Sequence, residues 1–276
     1  MRIRLAPCFA LLVAWALLAG GAGRLRAKEK LIPHDARNLS LRNEVQHAVD
    51  QGLEWLQTKQ NPSGFWGRQD EPAVTALALR GFLGDPGEGY RDGILVKKGF
   101  AYLESCERRD GGIYKEKESA SYTTSVSIMA FLALGDPKYD DLLRRAKAFL
   151  LARQSVSGSN FDMSSVGMLK GPDDRSLKSV FKWLQKHYFV SPETRNKGYY
   201  RNIRIAAEVL SASGMNQVER PDGTRWDWNP DLAKRLINLQ NTDGSFVEDD
   251  DRAGAQNPVL TTCYGVLTLE ILYLAM

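Results

Sequence analysis

Gln60-Asn61-Pro62-Ser63-Gly64-Phe65-Trp66 returns late in the chain as Gln240-Asn241-Thr242-Asp243-Gly244-Ser245-Phe246. The glutamine lies four residues before the glycine each time, a leucine lies four before the glutamine, and an aromatic follows the glycine. The same spacing recurs at Leu103-Glu107-Gly111 and Leu150-Gln154-Gly158, with Tyr114 and Phe161 as the aromatics. A looser copy runs from Trp183-Leu184-Gln185 to Gly198-Tyr199-Tyr200. Successive glycines at 64, 111, 158, 198 and 244 are therefore 47, 47, 40 and 46 residues apart. A fixed period of this length marks an array of similar units, each too small to bury its own apolar face.

Each unit reads as a helical hairpin. Val45, Val49, Gly52, Leu53 and Leu56 form an apolar stripe at helical spacing. Asn61-Pro62-Ser63-Gly64 ends that helix, and Pro72 suits the first turn of the next. The segment from Ala73 to Leu83 is apolar nearly all round, as expected of a buried helix. The second unit repeats the plan near Lys98 to Arg108 and from Ser121 to Leu134. The last does so with Leu232 to Gln240 and Pro258 to Leu274. Apolar helices inside and amphipathic ones outside satisfy burial in an all-α ring, an α/α toroid. No sustained alternation supports a strand.

The Gln60 to Trp66 stretch matches the QW motif, and Gln240 to Phe246 is the same motif with phenylalanine last. With the period and the alternating helices, this makes the chain resemble the squalene-cyclase and prenyltransferase repeat group, in particular the signal-bearing bacterial proteins built from such repeats. The resemblance covers roughly Val45 to Leu274 and implies a terpenoid-cyclase-like toroid in which Gln60, Gly64, Trp66, Gln240, Gly244 and Phe246 are scaffold. The family ring implies about six hairpins, whereas the sequence supplies about five. Unit three has an outer helix, Asp141 to Gln154, whose partner is reduced to the short stretch Asn160 to Gly171. The ring is expected either to close with fewer units or to stay open with apolar edges exposed.

The N-terminus has the layout of a secretory signal: Arg2 and Arg4, an uncharged apolar run from Phe9 to Ala19, then small residues before Lys28. The expected organisation is a signal peptide over 1–27, a tail over 28–43 and one toroid domain over 44–276. The expected location is periplasmic or secreted. Of 37 Lys and Arg, Arg2, Arg4, Arg24 and Arg26 precede Lys28, leaving 33 against 33 Asp and Glu. A mature chain near neutrality carries no electrostatic footprint for nucleic acid, and no membrane span is expected in it. Cys106 and Cys263 lie in helical apolar patterns and read as two buried thiols, not a disulfide framework.

The chemistry of the resembled enzymes is not evident. The nearest stretch to the cyclase acid motif is Glu248-Asp249-Asp250-Asp251-Arg252-Ala253, where Arg252 favours ionised carboxylates, the wrong state for a strong acid. Asp250 and Asp251 are the candidate acids, with His187 as a further catalytic candidate. The histidines His34, His47 and His187 form no Cys/His pair, so no zinc site and no cofactor is expected. A central site would be lined from the starts of the inner helices: Tyr122 and Thr123; Tyr199, Tyr200, Arg201 and Asn202; Asn257, Thr261 and Tyr264. Trp226 and Trp228 could stack on a sugar but are expected to pack at a helix start; Arg201 and Arg204 could bind an anion but are expected on a polar face. The leading reading is a non-catalytic exported toroid that binds an apolar ligand or a protein partner. A terpenoid-cyclase-like isoprenoid enzyme and a carbohydrate-active toroid are the alternatives.

Overall fold

A computed structural model describes residues 39–117, 119–156, 178, 182, 184, 198–220, 222–248 and 257–276. The leader, His187, Asp250 and Asp251 lie outside them. Among the described residues the chain forms eight α-helices: α1 (Leu39–Thr58), α2 (Pro72–Gly84), α3 (Ile94–Ser105), α4 (Ala120–Leu134), α5 (Asp140–Val156), α6 (Tyr199–Ala212), α7 (Trp228–Leu239) and α8 (Pro258–Ala275).

The two classes of helix follow from their side chains. On α1 the buried positions Leu41, Val45, Ala48, Val49, Gly52, Leu53 and Leu56 form one stripe. On α2 and α8 burial runs nearly all round, from Val74 to Leu79 and from Thr261 to Glu270. Helices α2, α4, α6 and α8 form the inner set, packed in the order α4–α2–α8–α6. Outer helices α1, α3, α5 and α7 lie against them, α1 on α8 and α7 on both α1 and α8. Helix α8 has the length and apolarity of a membrane span, but most of it is buried in the ring.

In three of the described loops the recurrent glycine docks its unit onto the next outer helix. Gln60 Nε2 donates to Gly64 O and to Leu95 O at the start of α3 (3.0 and 2.9 Å). Gly64, in the left-handed region at φ +93°, sits so close to Lys98 that a Cβ would lie 2.4 Å from its carbonyl oxygen. Gly111 (φ +84°) meets the Arg145 carbonyl of α5 in the same way. The last loop turns back to the first helix: Gln240 Nε2 donates to Ala48 O (2.9 Å), and Gly244 lies on the Gln51 carbonyl. Trp55 Nε1 adds a bond to Asp243 Oδ2 (3.1 Å). Last unit and first unit are thus joined by the contact that joins consecutive units.

A second contact pins these three loops to their own inner helices. The backbone N–H groups of Trp66, Ile113 and Phe246 donate to the hydroxyls of Thr75, Thr124 and Thr262, each at 3.0 Å, and all three threonines are buried. An aliphatic residue there would leave an amide unsatisfied.

Three expectations need correction. Gly198 is left-handed (φ +80°) but is the N-cap of α6, and among the described residues a Cβ there would meet Asn202 at 3.9 Å and no neighbouring carbonyl; Trp183 and Gln185 lie outside the described residues. Helix α3 runs from Ile94 to Ser105, starting four residues ahead of the expected Lys98, with Val96 already buried in its first turn. A short antiparallel ladder, β1 (Val218–Glu219) with β2 (Arg225–Trp226), closes a turn ahead of α7. Cys106 and Cys263 are separate buried thiols.

Candidate functional site

The inner helices bring their polar side chains together at the centre of the ring. Tyr122, on the first turn of α4, and Tyr264, on α8, meet hydroxyl to hydroxyl at 3.1 Å. Helices α4 and α8 are not packed side by side, so this hydrogen bond crosses the ring. The guanidinium of Arg204 on α6 stands 5.6 Å from the Tyr264 ring and pairs with Glu208 one turn further on. Arg204 is 1% exposed, so it is an interior group and not the polar-face residue expected of it. Burial raises the Tyr264 phenol, with Tyr122 adding to the effect and the charges of Arg204 and Arg201 opposing it.

Arg80 on α2 and Glu270 on α8 complete the cluster. Burial lowers Arg80, while the charges of Glu208 and Glu270 raise it and Arg204 lowers it further. Residues of all four described inner helices therefore share one electrostatic neighbourhood. Glu270 is 5% exposed and packs onto Gly81 and Gly84, where a Cβ on Gly84 would fall 2.3 Å from Oε2. Desolvation pushes its carboxyl well above the ordinary range, against the pull of Arg80, so the neutral form is favoured.

This has a consequence for stability. A carboxyl whose folded pKa exceeds its unfolded value of about 4.5 stabilises the fold fully below that value and loses the contribution as pH rises through the folded value. The Glu270→Gln variant should match wild type in denaturant unfolding at pH 4.5 and exceed it at pH 8, by about 1.4 kcal/mol for each unit that the folded pKa is raised. Parallel pH profiles would rule this out.

The other expected ligand-binding residues separate into two groups. Arg201 is half-buried, and its charge opposes the rise of the Tyr264 phenol. Tyr199 and Tyr200 lie in the wall: their rings stand 5.4 Å apart edge-on, Arg235 of α7 sits 5.6 Å from the Tyr199 ring, and Tyr200 packs on Phe246. Asn257 caps α8 by accepting from Leu260 N (3.1 Å), and Thr261 donates back to Asn257 O. Of the acidic stretch, Glu248 accepts from the Gly198 amide at 3.1 Å, an anion at the N-terminus of α6. His47 is exposed on α1.

Trp226 and Trp228 are 1% and 3% exposed, and their indole N–H groups donate to Asp231 Oδ2 and Met215 O. A shallow groove of about 520 Å³ runs beside them, past Arg225 and Lys234. With both rings buried, it offers no aromatic platform for a sugar.

Neither Arg80, Glu208 nor Glu270 was singled out by motif. A signal existed: Arg80 and Glu270 are the sole charged residues of α2 and α8, and a lone charge on a helix buried all round must find a partner inside.

No family model matches the chain, and no curated protein matches its sequence. Its structure is similar to type II terpene cyclase MstE from Scytonema. An Asp-to-Asn variant of that enzyme, in complex with geranylgeranyl dihydroxybenzoate, superposes with a TM-score of 0.50 at 12% identity, over 86% of this chain and 99% of that one. Its apo form gives 0.49 at 14% identity, over 85% and 99%. The fold is terpenoid-cyclase-like. At this identity the likeness is one of fold, since the same scaffold carries unrelated activities.

Proposed function

We propose that this chain is an exported toroid that binds an apolar small molecule or a protein partner and does not cyclise a polyene. The observation that carries the reading is the bridged centre of the ring. The Tyr122–Tyr264 hydrogen bond joins α4 to α8 with the Arg204–Glu208 pair beside it, a polar centre that suits contact with a head group better than a polyene folded around an acid. The leader-like N-terminus supports export. The Scytonema cyclase binds geranylgeranyl dihydroxybenzoate, an isoprenoid chain on an aromatic head. The fold likeness makes that the first ligand class to try.

One observation favours the cyclase-like alternative. Glu270 is held toward its neutral form, the state a general acid must have. Yet its carboxyl is wedged on Gly81 and Gly84 instead of facing open space.

Cyclisation is an isomerisation, so mass alone cannot separate the readings. The experiment is native mass spectrometry of the protein from the exported fraction and after incubation with geranylgeraniol, followed by chromatography of the released ligand. The expected result is a bound species lost on denaturation, with geranylgeraniol recovered at its original retention. A new isomer of the same mass would overturn the binding reading in favour of catalysis.

A further inference from the structure

The central cluster is not balanced in charge. Arg80 and Arg204 are both cations, and of the carboxyls in reach Glu208 is paired with Arg204 while Glu270 favours its neutral form. Asp85, the other acid near Glu270, accepts from the Gly87 and Gly89 amides and from Gln46, and it is not among the groups that act on Arg80. Among the described residues these two cations thus outnumber the one paired carboxylate, Glu208, and a buried charge without a partner is expensive.

The donors show the same imbalance. Arg80 Nη1 and Arg204 Nε are buried and make no hydrogen bond. Two guanidiniums on helices that are not packed neighbours, each with a buried N–H group idle, fit a planar acceptor between them. Arg204 is almost wholly buried and Arg80 is half-buried. The guanidinium fork matches a carboxylate, and a surplus of one charge suits a monoanion better than a phosphate dianion.

We propose that Arg80 and Arg204, beside the Tyr122–Tyr264 hydroxyl pair, hold the carboxylate-type head of an amphiphilic ligand at the centre of the ring. This rests on the binding reading and names the head group that the apolar ligand carries. Selectivity follows from the same chemistry: an alcohol of equal chain length leaves the cationic surplus uncompensated, so it binds more weakly.

The test is thermal unfolding of the full chain with farnesoate, farnesol and acetate, each at matched concentration, because a ligand that binds only the folded state raises Tm. Farnesoate is expected to raise Tm with an apparent affinity at least tenfold above that of farnesol. The Arg80→Met variant should lose that preference while its unliganded Tm stays level or rises, since it removes an uncompensated charge. Equal stabilisation by farnesoate and farnesol would overturn the anion site and leave the apolar-binding reading standing. Saturable stabilisation by acetate as strong as by farnesoate, with none by farnesol, would keep the anion site and overturn the apolar reading. No response to any of the three would overturn both. Retention of the farnesoate preference by Arg80→Met would overturn the assignment to Arg80 whatever the variant's stability, and the wild-type comparison stands if the variant fails to fold.

Discussion

Replacing Gly244 with alanine is expected to lower the stability of the whole ring by about 2–5 kcal/mol, read as a shift in the denaturant midpoint. Two costs add. The residue sits at φ +89°, where a Cβ costs about 1–2 kcal/mol. That Cβ would also lie 2.3 Å from the carbonyl oxygen of Gln51, a backbone atom held inside α1, and relieving such a clash costs about 1–3 kcal/mol more. The control is internal. Gly223 occupies the same kind of turn, its N–H bonded to Arg220 O at 2.9 Å as Gly244 N is to Asn241 O. It too is left-handed, at φ +80°, but a Cβ there meets nothing within 4 Å. Gly223→Ala should therefore pay the conformational cost alone, about 1–2 kcal/mol. Because Gly244 sits where the last unit meets the first, its variant should also expose α1 to protease earlier than the rest. Equal losses at the two glycines would refute the docking role.

Much of this fold was legible because it rests on contacts that repeat. Gln60 and Gln240 each bond their own glycine carbonyl and the next outer helix, and that double duty is why the residue recurs at fixed spacing. The alternation of striped and wholly apolar helices likewise follows from the burial of α1 against that of α2 and α8. Where the pattern misled, the cause was local. Gly198 has the required left-handed conformation without the neighbouring carbonyl that makes it a docking glycine. The threonines Thr75, Thr124 and Thr262 have no fixed sequence signal, because their distance from the amides of Trp66, Ile113 and Phe246 varies with loop length although the three bonds are alike.

The centre of the ring was read with less success, and for a physical reason. Helix starts gave the tyrosines, and two of them, Tyr122 and Tyr264, do meet. Tyr199 and Tyr200 share that position on α6 but turn toward α7 and the last loop, because rotation about a helix axis is set by packing and not by distance from its first residue. Arg80 and Glu270 lie late on their helices, where a search from the N-termini does not look. What identifies them is contrast, one charge in an otherwise uncharged helix. Buried polar groups of this kind are costly unless matched, which is why the interior charge, more than the motif, bears on what the ring holds.

The Trp66→Ala variant is expected to lose about 3–5 kcal/mol, the range for deleting a fully buried large aromatic. Trp66 has no exposed surface and joins three helices. Its amide is held by Thr75 of α2, its indole N–H donates to Leu56 O at the end of α1 (2.7 Å), and its ring packs on Phe82 and lies 3.1 Å from where a Cβ on Gly99 of α3 would stand. The last unit shows how much of this is volume and how much is hydrogen bond. There the equivalent residue is Phe246, equally buried and bonded through its amide to Thr262, but with no ring N–H to donate. The fold thus accepts phenylalanine at this kind of position. Trp66→Phe should therefore keep most of the packing and lose mainly the bond to the Leu56 carbonyl, about 1–2 kcal/mol. Urea unfolding of both variants decides the matter: a phenylalanine variant as unstable as the alanine one would mean that the indole N–H, and not the ring, holds the first hairpin together.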